Sequence, residues 1–271
     1  FSLDADGHSL GVGGFTASTV TDVEFGGEGA NANTGTSATF NGASSIIQHD
    51  WSADLNPESF TLALWGKSNG GAGAWNSPVT SRHDLNNEGE ASQGYLIYDN
   101  NPAGIWTFWS GNGDVAGNWQ IMDGPAVNLG EWEHIAIVYD NELEIKQLYV
   151  NGELEVESND VVAPNDTKPF SIGAGGDTGT AYVFKGEIDE MGLWNGALAQ
   201  DESKAAMTEG ILGAEAQDAD LVAHFPLDEH GDSEVGDFLS AVDDVEYDVP
   251  GANENTGTSA RFDGWGSMIQ H

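Results

Sequence analysis

The chain has 271 residues, with 45 Asp and Glu against only seven Lys and Arg, so its formal net charge is -38. This charge argues against nucleic acid and anionic membrane surfaces as partners, because both are bound through basic residues. The 37 glycines and 39% of apolar residues fit a globular protein of many strands and turns, and the lack of cysteine excludes a disulfide framework. We expect salt or bound cations to stabilise so acidic a fold, as in a saline or calcium-rich extracellular setting.

Alternating apolar and polar residues predict a series of short β-strands. In ESFTLALWG, for example, Phe60, Leu62 and Leu64 share one face of the strand. An Asn151-Gly152 pair between EIKQLYV and ELEVES predicts a tight hairpin, because both residues of such a turn need positive φ. Other strands are predicted, in chain order, at 94–99, 104–110, 118–122, EWEHIAIVYD, 169–173 and 186–194.

One short helix is predicted at Ala199–Gly210, with acidic residues in its first turn. About a dozen short strands and a single helix indicate two packed sheets rather than a helical or mixed fold. The predicted fold is therefore all-β, a two-sheet antiparallel jelly-roll sandwich with one short helix, followed by the first strands of a second repeat.

A long internal repeat accounts for that second set of strands. NTGTSATFNGASSIIQH (Asn33–His49) and NTGTSARFDGWGSMIQH (Asn255–His271) are identical at twelve of seventeen positions, at an offset of 222 residues. So long a period suits an array of whole domains rather than a solenoid. We predict a complete repeat at 1–220 and the N-terminal part of an incomplete one at 221–271, with a linker at about 201–224.

Four segments carry a family resemblance in the expected order. They are ATFNGASSIIQ, FTLALWGKS, EWEHIAIVYDNELEIKQLYVNGELEV and FKGEIDEMGLWNGALAQDE. Together they resemble the laminin G-like, concanavalin A-like lectin/glucanase jelly rolls. The resemblance implies a jelly roll whose relatives are mostly binding or adhesion modules.

The segment EIDE invites comparison with the catalytic motif of related glucanases. Retaining hydrolysis needs two carboxyl groups about 5–5.5 Å apart, so on a strand the second glutamate must follow the first by about four residues. Here the fourth residue after Glu187 is Met191, while Glu190 points to the opposite face from Glu187. The sequence therefore predicts a protein that is not an enzyme.

Calcium is the predicted cofactor, because a hard cation takes carboxylate, amide and backbone oxygens. The resemblance implies a structural calcium held by the first strand, by the loop after an early strand and by an aspartate of the last strand. Carried onto this chain, these positions are Asp4, the Asn41-Gly42 turn and Asp189. In the alternative, Asp189 and Glu190 only accept hydrogen bonds from turn amides.

Aromatic side chains are the usual surface for binding sugars, with polar groups fixing the hydroxyls. Trp106 and Trp109 lie on opposite faces of one predicted strand, so at most one of them can face a groove while the other is core. The alternative for each tryptophan is a place in the core. The predicted ligand-binding residues are Trp65, His83, Asp99, Trp109 and Trp119.

Two acidic segments, Arg82–Glu90 and Tyr98–Asn101, are predicted as inter-strand loops. They contain His83 and Asp99 of the predicted ligand site. The alternative is that both segments are a solvated rim with no binding role.

The repeat and the resemblance together predict a non-catalytic extracellular adhesion or filament-forming domain that is stabilised by cations and joins end to end. Its partners would be copies of itself or neighbouring repeats, contacted through residues 225–271, which are either the start of the next domain or strands donated to another chain. Glycans are a further candidate partner, and neither nucleic acid nor membrane insertion is expected. The alternative function is a carbohydrate-binding module of a secreted glycoside-degrading enzyme. We expect the protein outside the cell or on its surface, in a saline environment.

Overall fold

The computed structural model describes residues 18–71, 73–84, 91–100, 103–114, 119–211, 220–225, 245–250, 252–253, 255–264 and 269–270. Asp4 of the predicted calcium site lies outside these residues. Within them there is one α-helix, α1 (Gln200–Glu209), and it is too short to cross a membrane.

The strands, in chain order, are β1 (Thr19–Thr21), β2 (Glu24–Ala32), β3 (Thr36–Gly42), β4 (Ile46–His49), β5 (Phe60–Ser68), β6 (Trp75–His83), β7 (Gln93–Asn100), β8 (Ile105–Ser110), β9 (Gln120–Ala126), β10 (Glu133–Asp140), β11 (Ile145–Val150), β12 (Glu153–Ser158), β13 (Phe170–Ile172), β14 (Lys185–Asn195), β15 (Asp220–Phe225), β16 (Val245–Pro250), β17 (Ala252–Asn253), β18 (Asn255–Gly264) and β19 (Ile269–Gln270).

These strands form two sheets. The front sheet has the order β9-β8-β7-β6-β13-β4-β1, with β19 also paired to β13. The back sheet has the order β12-β11-β10-β5-β14-β18-β16-β3-β2-β17, with β15 also paired to β14. Pairing is antiparallel throughout the front sheet and in the back sheet wherever the two copies of the repeat do not meet. The predicted all-β sandwich with one short helix is confirmed.

The main hydrophobic core fills the space between the sheets. Leu62 and Leu64 of β5 are fully buried there, as the alternation of that strand predicts. Phe60, at the start of the same strand, stacks on Tyr95 of the front sheet with ring centroids 4.7 Å apart. Each large apolar side chain buried in this way contributes roughly 1.5–3 kcal/mol to the free energy of unfolding. The core therefore ties the two sheets into one body.

Helix α1 belongs to a second, smaller core on the outer face of the back sheet. Ala206 of the helix and Leu198 just before it are buried with Trp194 of β14 and Ala63 of β5. The helix starts where the Glu202 carboxylate accepts a hydrogen bond from the Ala199 amide at 2.7 Å. A negative charge at this end of a helix is favourable because the first amides there have no partner within the helix.

The predicted hairpin between β11 and β12 is confirmed. Asn151 has φ 51° and Gly152 has φ 78°, the positive values that the Asn-Gly pair was expected to adopt. Strand β6, in contrast, is not predicted from the sequence. Pro78 interrupts its alternation, and the pairing register with β7 shifts between Asn76 and Val79, where a bulge accommodates the proline that cannot donate a ladder hydrogen bond.

The placement of β6 and β7 corrects one expectation. Arg82 and His83 end β6, and residues 98–100 belong to β7, so these residues are not in inter-strand loops. The rest of the two predicted acidic loops lies largely outside the described residues. Sequence reasoning placed this acidic stretch in loops because polar residues at strand ends carry no apolar alternation.

The strands of the second repeat pair with the sheets of the first. In the back sheet, β18 pairs with β14, and in the front sheet β19 pairs with β13. Strand β15 falls within the predicted linker and pairs with β14 at Met191–Asn195. The division into a repeat at 1–220 and a second one at 221–271 stays a prediction.

His134 provides a test of the packing of the back sheet. Its ring is buried edge-on against Trp65, with centroids 5.3 Å apart, and burial lowers the pKa of this imidazole from 6.5 to about 3. The folded state therefore holds the neutral ring. As the pH falls below about 6.5, the unfolded chain takes up a proton that the folded chain does not, so stability is lost with acid.

We expect His134→Gln to remove this loss. Between pH 7 and pH 5 the parent protein should lose about 2 kcal/mol through His134, at ~1.4 kcal/mol per pH unit below 6.5. Urea unfolding at several pH values, compared between parent and variant, measures the difference in slope. Equal slopes for the two proteins would show that His134 is not held neutral by burial.

Candidate functional site

A pocket opens on the outer face of the front sheet, on the side away from the main core. Its volume is about 160 Å³, less than the roughly 300–1,000 Å³ of sites for drug-sized ligands and closer to the size of one sugar ring. Strands β6, β7 and β8 form its floor, and the segment before β14 forms part of its wall. The residues that line it are Trp75, Arg82, Asp84, Tyr98, Trp109, Trp119 and Tyr182.

Four aromatic rings in contact form one side of the pocket. Trp109 of β8 meets Trp75 of β6 at a centroid distance of 5.0 Å and Tyr98 of β7 at 5.5 Å. Tyr98 in turn contacts Tyr182, edge to face, at 5.9 Å. Because such edge contacts restrict the rings, the aromatic surface is fixed before any ligand arrives. Burial raises the pKa of the Tyr98 hydroxyl, so this group stays neutral and can donate a hydrogen bond.

An arginine held by two carboxylates forms the other side. Arg82 Nε lies 2.7 Å from Asp177 Oδ1, and Arg82 Nη2 lies 3.9 Å from Asp84 Oδ2. The guanidinium also lies over the rings of Tyr182 and Trp119, at 5.2 and 5.7 Å from their centroids. These contacts orient Arg82 firmly while it remains at the pocket wall.

This arrangement can hold a small ligand that has an apolar face and polar edges. The rings around Trp109 offer flat surfaces for stacking, and the groups around Arg82 offer donors and acceptors for hydroxyls. The aromatic and polar sides meet in one concave site, as expected for recognition of a small polar molecule.

Two of the predicted ligand-binding residues, Trp109 and Trp119, line this pocket. Trp106 is fully buried in the main core, so the structure places the two tryptophans of β8 on opposite sides, as the alternation of that strand predicts.

The other three predicted ligand-binding residues lie elsewhere. Trp65 is on the back sheet beside His134. The Asp99 carboxylate is 2% exposed and accepts a hydrogen bond from Ser68 of the back sheet, so it points between the sheets. Nδ1 of His83 lies 3.2 Å from Asp166 Oδ1, at the end of β6 and outside the pocket lining. The structure does not bring these three side chains together.

Five residues of the pocket lining were missed by sequence reasoning as ligand-binding residues: Trp75, Arg82, Asp84, Tyr98 and Tyr182. Trp75 and Arg82 belong to β6, which the sequence did not reveal. Tyr98 was within reach, because it lies two residues after Leu96 on the outer face of a correctly predicted strand. Tyr182 lies in a glycine-rich connection that carries no periodic signal.

The predicted calcium ligands are separated in the structure. The Asn41 side-chain oxygen accepts hydrogen bonds from the amides of Ala43, Ser44 and Ser45 at 2.8, 2.8 and 3.1 Å. Asn41 is opposite Lys185 of β14, four residues from Asp189, which corresponds to about 13 Å along a strand. Among the described residues, no group of three or more acidic or histidine side chains could hold a metal ion.

Asp189 is fully buried and accepts hydrogen bonds from β2 and from the turn that follows it. Its carboxylate receives the amide of Ala30 and the hydroxyl of Thr34, the latter at 2.7 Å. These donors are a strand amide and a hydroxyl, whereas the alternative expected turn amides. The side chain of Asn41 closes its own turn.

Comparison with known families identifies the fold. A family model described as the concanavalin A-like lectin/glucanases superfamily matches residues 30–202, in agreement with the resemblance carried by the sequence motifs. None of the curated proteins matches the chain significantly.

Several solved structures share the architecture. A Bacteroides ovatus protein, for which carbohydrate binding is proposed, has a TM-score of 0.50 and 19% identity, over 68% of this chain and 49% of its own. The Ruminococcus gnavus IT-sialidase CBM40 bound to alpha2,3 sialyllactose has a TM-score of 0.47 and 22% identity, over 60% of this chain and 93% of its own. Domain 4 of AbnA, an extracellular arabinanase from Geobacillus stearothermophilus, has a TM-score of 0.44 and 20% identity, over 62% of this chain and 74% of its own. At 19% identity the likeness to the Bacteroides ovatus protein shows the fold alone.

Proposed function

Because the chain belongs to the concanavalin A-like lectin/glucanase superfamily, whose fold presents sheet faces and loops for binding, we propose that its aromatic pocket binds a sugar ring of a glycan. The observation that supports this function best is the pocket itself, where Trp109, Tyr98 and Trp75 contact one another beside the fixed Arg82. A pyranose has apolar C–H faces and a rim of hydroxyls, which fit the aromatic and polar sides of this site.

The charges around the pocket favour a neutral sugar. The single guanidinium of Arg82 is paired with two carboxylates, Asp84 and Asp177, so the cluster has a net negative charge. The whole chain adds a charge of -38, which repels an anionic ligand at low salt. A carboxylated sugar would have to displace Asp177 from Arg82, whereas a neutral sugar can hydrogen-bond to the pair as it stands.

A glycan panel tests this proposal. Neutral oligosaccharides of glucose, galactose, xylose and arabinose are compared with sialylated and uronic-acid oligosaccharides at 0.15 M and 1 M NaCl. We expect at least one neutral class to bind with little dependence on salt. Binding restricted to the acidic glycans would contradict the neutral preference, and no binding to any glycan would overturn the proposed function.

We further propose that the domain binds without catalysis. Glu187, the residue in the position of the glucanase nucleophile, is buried, and its Oε2 lies 2.6 Å from the Lys67 ammonium. Met191, in the position of the second carboxyl group, is buried in the apolar core. A carboxyl pair for retaining hydrolysis is therefore missing from this part of the described chain.

A second candidate function is adhesion or filament formation by an extracellular array of such domains, in a saline environment. The observation that favours it is the repeat, since β16, β18 and β19 come from a second copy of the opening sequence and pair with the first domain. In this role the pocket would serve attachment to glycans, and the repeats would supply length. An alternative with the same pocket chemistry is a carbohydrate-binding module attached to a glycoside-degrading enzyme.

Calcium stays part of this second proposal, as an ion that stabilises the acidic chain. When the free concentration of an ion is a hundred times its Kd, binding adds about 2.7 kcal/mol to the free energy of unfolding. This raises the Tm of a domain of this size by roughly 5–10 °C. We therefore expect EDTA to lower the Tm by that amount in both 0.15 M and 2 M NaCl, and added Ca²⁺ to restore it. A Tm that responds to NaCl alone would show that charge screening is sufficient.

A further inference from the structure

The edge of β14 is paired twice, in the same register, by the two copies of the repeat. Lys185 to Ile188 lie opposite Asn41 to Ala38 of β3, and the same four residues lie opposite Asp263 to Ala260 of β18. Strands β3 and β18 also run parallel to each other, with Phe40 matched to Phe262 at the offset of the repeat. Both copies thus have the same place beside β14.

The front sheet shows the same duplication. Ile172 of β13 is opposite Ile47 of β4 and also opposite Ile269 of β19. The neighbouring Ser171 is likewise opposite both Gln48 and Gln270. The two copies therefore pair with the same residues in both sheets, so the duplication concerns the whole opening segment rather than one strand.

The side chains show why the two copies are alternatives. Phe40 and Phe262 are both fully buried, and their rings are superposed in one position of the core, beside Phe184. A β-carbon added at Gly173 would overlap both rings, so the two phenylalanines rest on the same backbone. A core packed at normal density has room for one ring at this position. Only one copy can occupy the position at a time.

The C-terminal part of the chain pairs with β14 along two consecutive stretches. Strand β18 pairs with Lys185–Ile188, and β15 pairs with the following stretch, Met191–Asn195. Within the described residues, the N-terminal copy reaches β14 through β3 alone.

Several buried residues of the two copies are identical, whereas the buried Thr39 and Ile46 correspond to Arg261 and Met268. Ala38 corresponds to Ala260, and Ser37 to Ser259, and all four are completely buried. At these positions the same groups are buried whichever copy lies beside β14. Neither copy is excluded by its sequence.

We propose that the sandwich is completed by either copy of the repeat, so that residues 245–270 can replace the opening strands of the preceding domain. This strand exchange specifies how neighbouring repeats of the proposed array connect, and it does not depend on sugar binding. The occupant is the C-terminal copy of the opening segment of the same chain. The site that receives it is the edge of β14 together with the edge of β13.

Engineered disulfides test the exchange, because the chain has no cysteine of its own. Ile188→Cys is combined with Ala38→Cys in one variant and with Ala260→Cys in another. Directly opposed residues of antiparallel strands have Cα atoms about 4.5–5.5 Å apart, which suits a disulfide. As a control, Ile188→Cys is combined with Glu155→Cys, an exposed position on β12, which is four strands away from β14 in the back sheet.

Each full-length variant is refolded in a glutathione buffer and analysed by non-reducing electrophoresis and peptide mass spectrometry. We expect both opposed pairs to form disulfides, each at least five-fold more than the control pair. If the Ala38→Cys variant formed its disulfide while the Ala260→Cys variant stayed at the level of the control, the N-terminal copy alone would lie beside β14 and the proposal would be overturned. Disulfide formation is measured within single molecules, so this proposal can fail even if filaments form or glycans bind. Glycan binding by the same variants should equal that of the parent.

Discussion

Replacing Trp109 by alanine should weaken binding to the neutral oligosaccharide selected by the glycan panel by at least ten-fold, or about 1.4 kcal/mol. Trp109 contacts both Trp75 and Tyr98 at the pocket, so its removal takes away a stacking surface and the edge support of two further rings. Isothermal titration calorimetry measures the loss, and the Tm reports whether the domain is still folded. Trp109→Phe, which keeps an aromatic face, should recover part of the affinity.

Trp132 provides the matched control. It is partly exposed and lies outside the pocket lining, with the Lys67 ammonium 5.7 Å from its ring centroid. Trp132→Ala should leave the affinity within two-fold of the parent. If Trp132→Ala lowered affinity as much as Trp109→Ala, the sugar would bind on another surface and the pocket would lose its proposed role.

The double substitution Phe40→Ala with Phe262→Ala should destabilise the protein by more than the sum of the two single substitutions. Each single variant keeps one phenylalanine for the shared core position, because the other copy can supply it. We expect each single variant to lose less than about 1.5 kcal/mol. The double variant should lose the ~3–5 kcal/mol that is usual when a buried phenylalanine is truncated to alanine. Urea unfolding of the four proteins measures this non-additivity.

Phe108 serves as the reference for this cycle. It is fully buried in the same core, and its position has a single occupant. Phe108→Ala should therefore show the full loss as a single substitution. In the contrary outcome, Phe40→Ala alone lowers the free energy of unfolding as much as Phe108→Ala does, and the losses of the two single variants add up to that of the double variant. The N-terminal copy would then hold the position alone.

Much of the fold could be predicted because its strands have one apolar and one polar face. The alternation at Phe60, Leu62 and Leu64 identified β5 and the face that it buries, and Asn151-Gly152 identified a hairpin with positive φ. Strand β6 could not be found in this way. Its buried residues include the polar Asn76, Ser77, Thr80 and Ser81, and Pro78 falls at a bulge, so apolar residues show no period of two.

The site was predicted in part for the same reason. Trp109 was identified because a strand cannot bury both Trp106 and Trp109 in one core, and that argument needs only local sequence. The ion pair of Arg82 with Asp177 joins residues far apart in the chain, so no local pattern reveals it. Asp99 shows the converse problem, since a polar residue beside aromatic ones was assigned to the ligand site, whereas its carboxylate points between the sheets towards Ser68.

The shared place beside β14 also has a consequence for the order in which the protein folds during synthesis. The N-terminal copy leaves the ribosome first, but β14, its partner, follows only after more than a hundred further residues. The C-terminal copy appears roughly 80 residues after β14, a delay of about 4–16 s at ~5–20 residues per second. In the cell the first copy can therefore dock before its competitor exists, whereas both copies compete from the start when a denatured chain refolds. Newly made and refolded protein can thus differ in which copy is buried, although their sequence is the same.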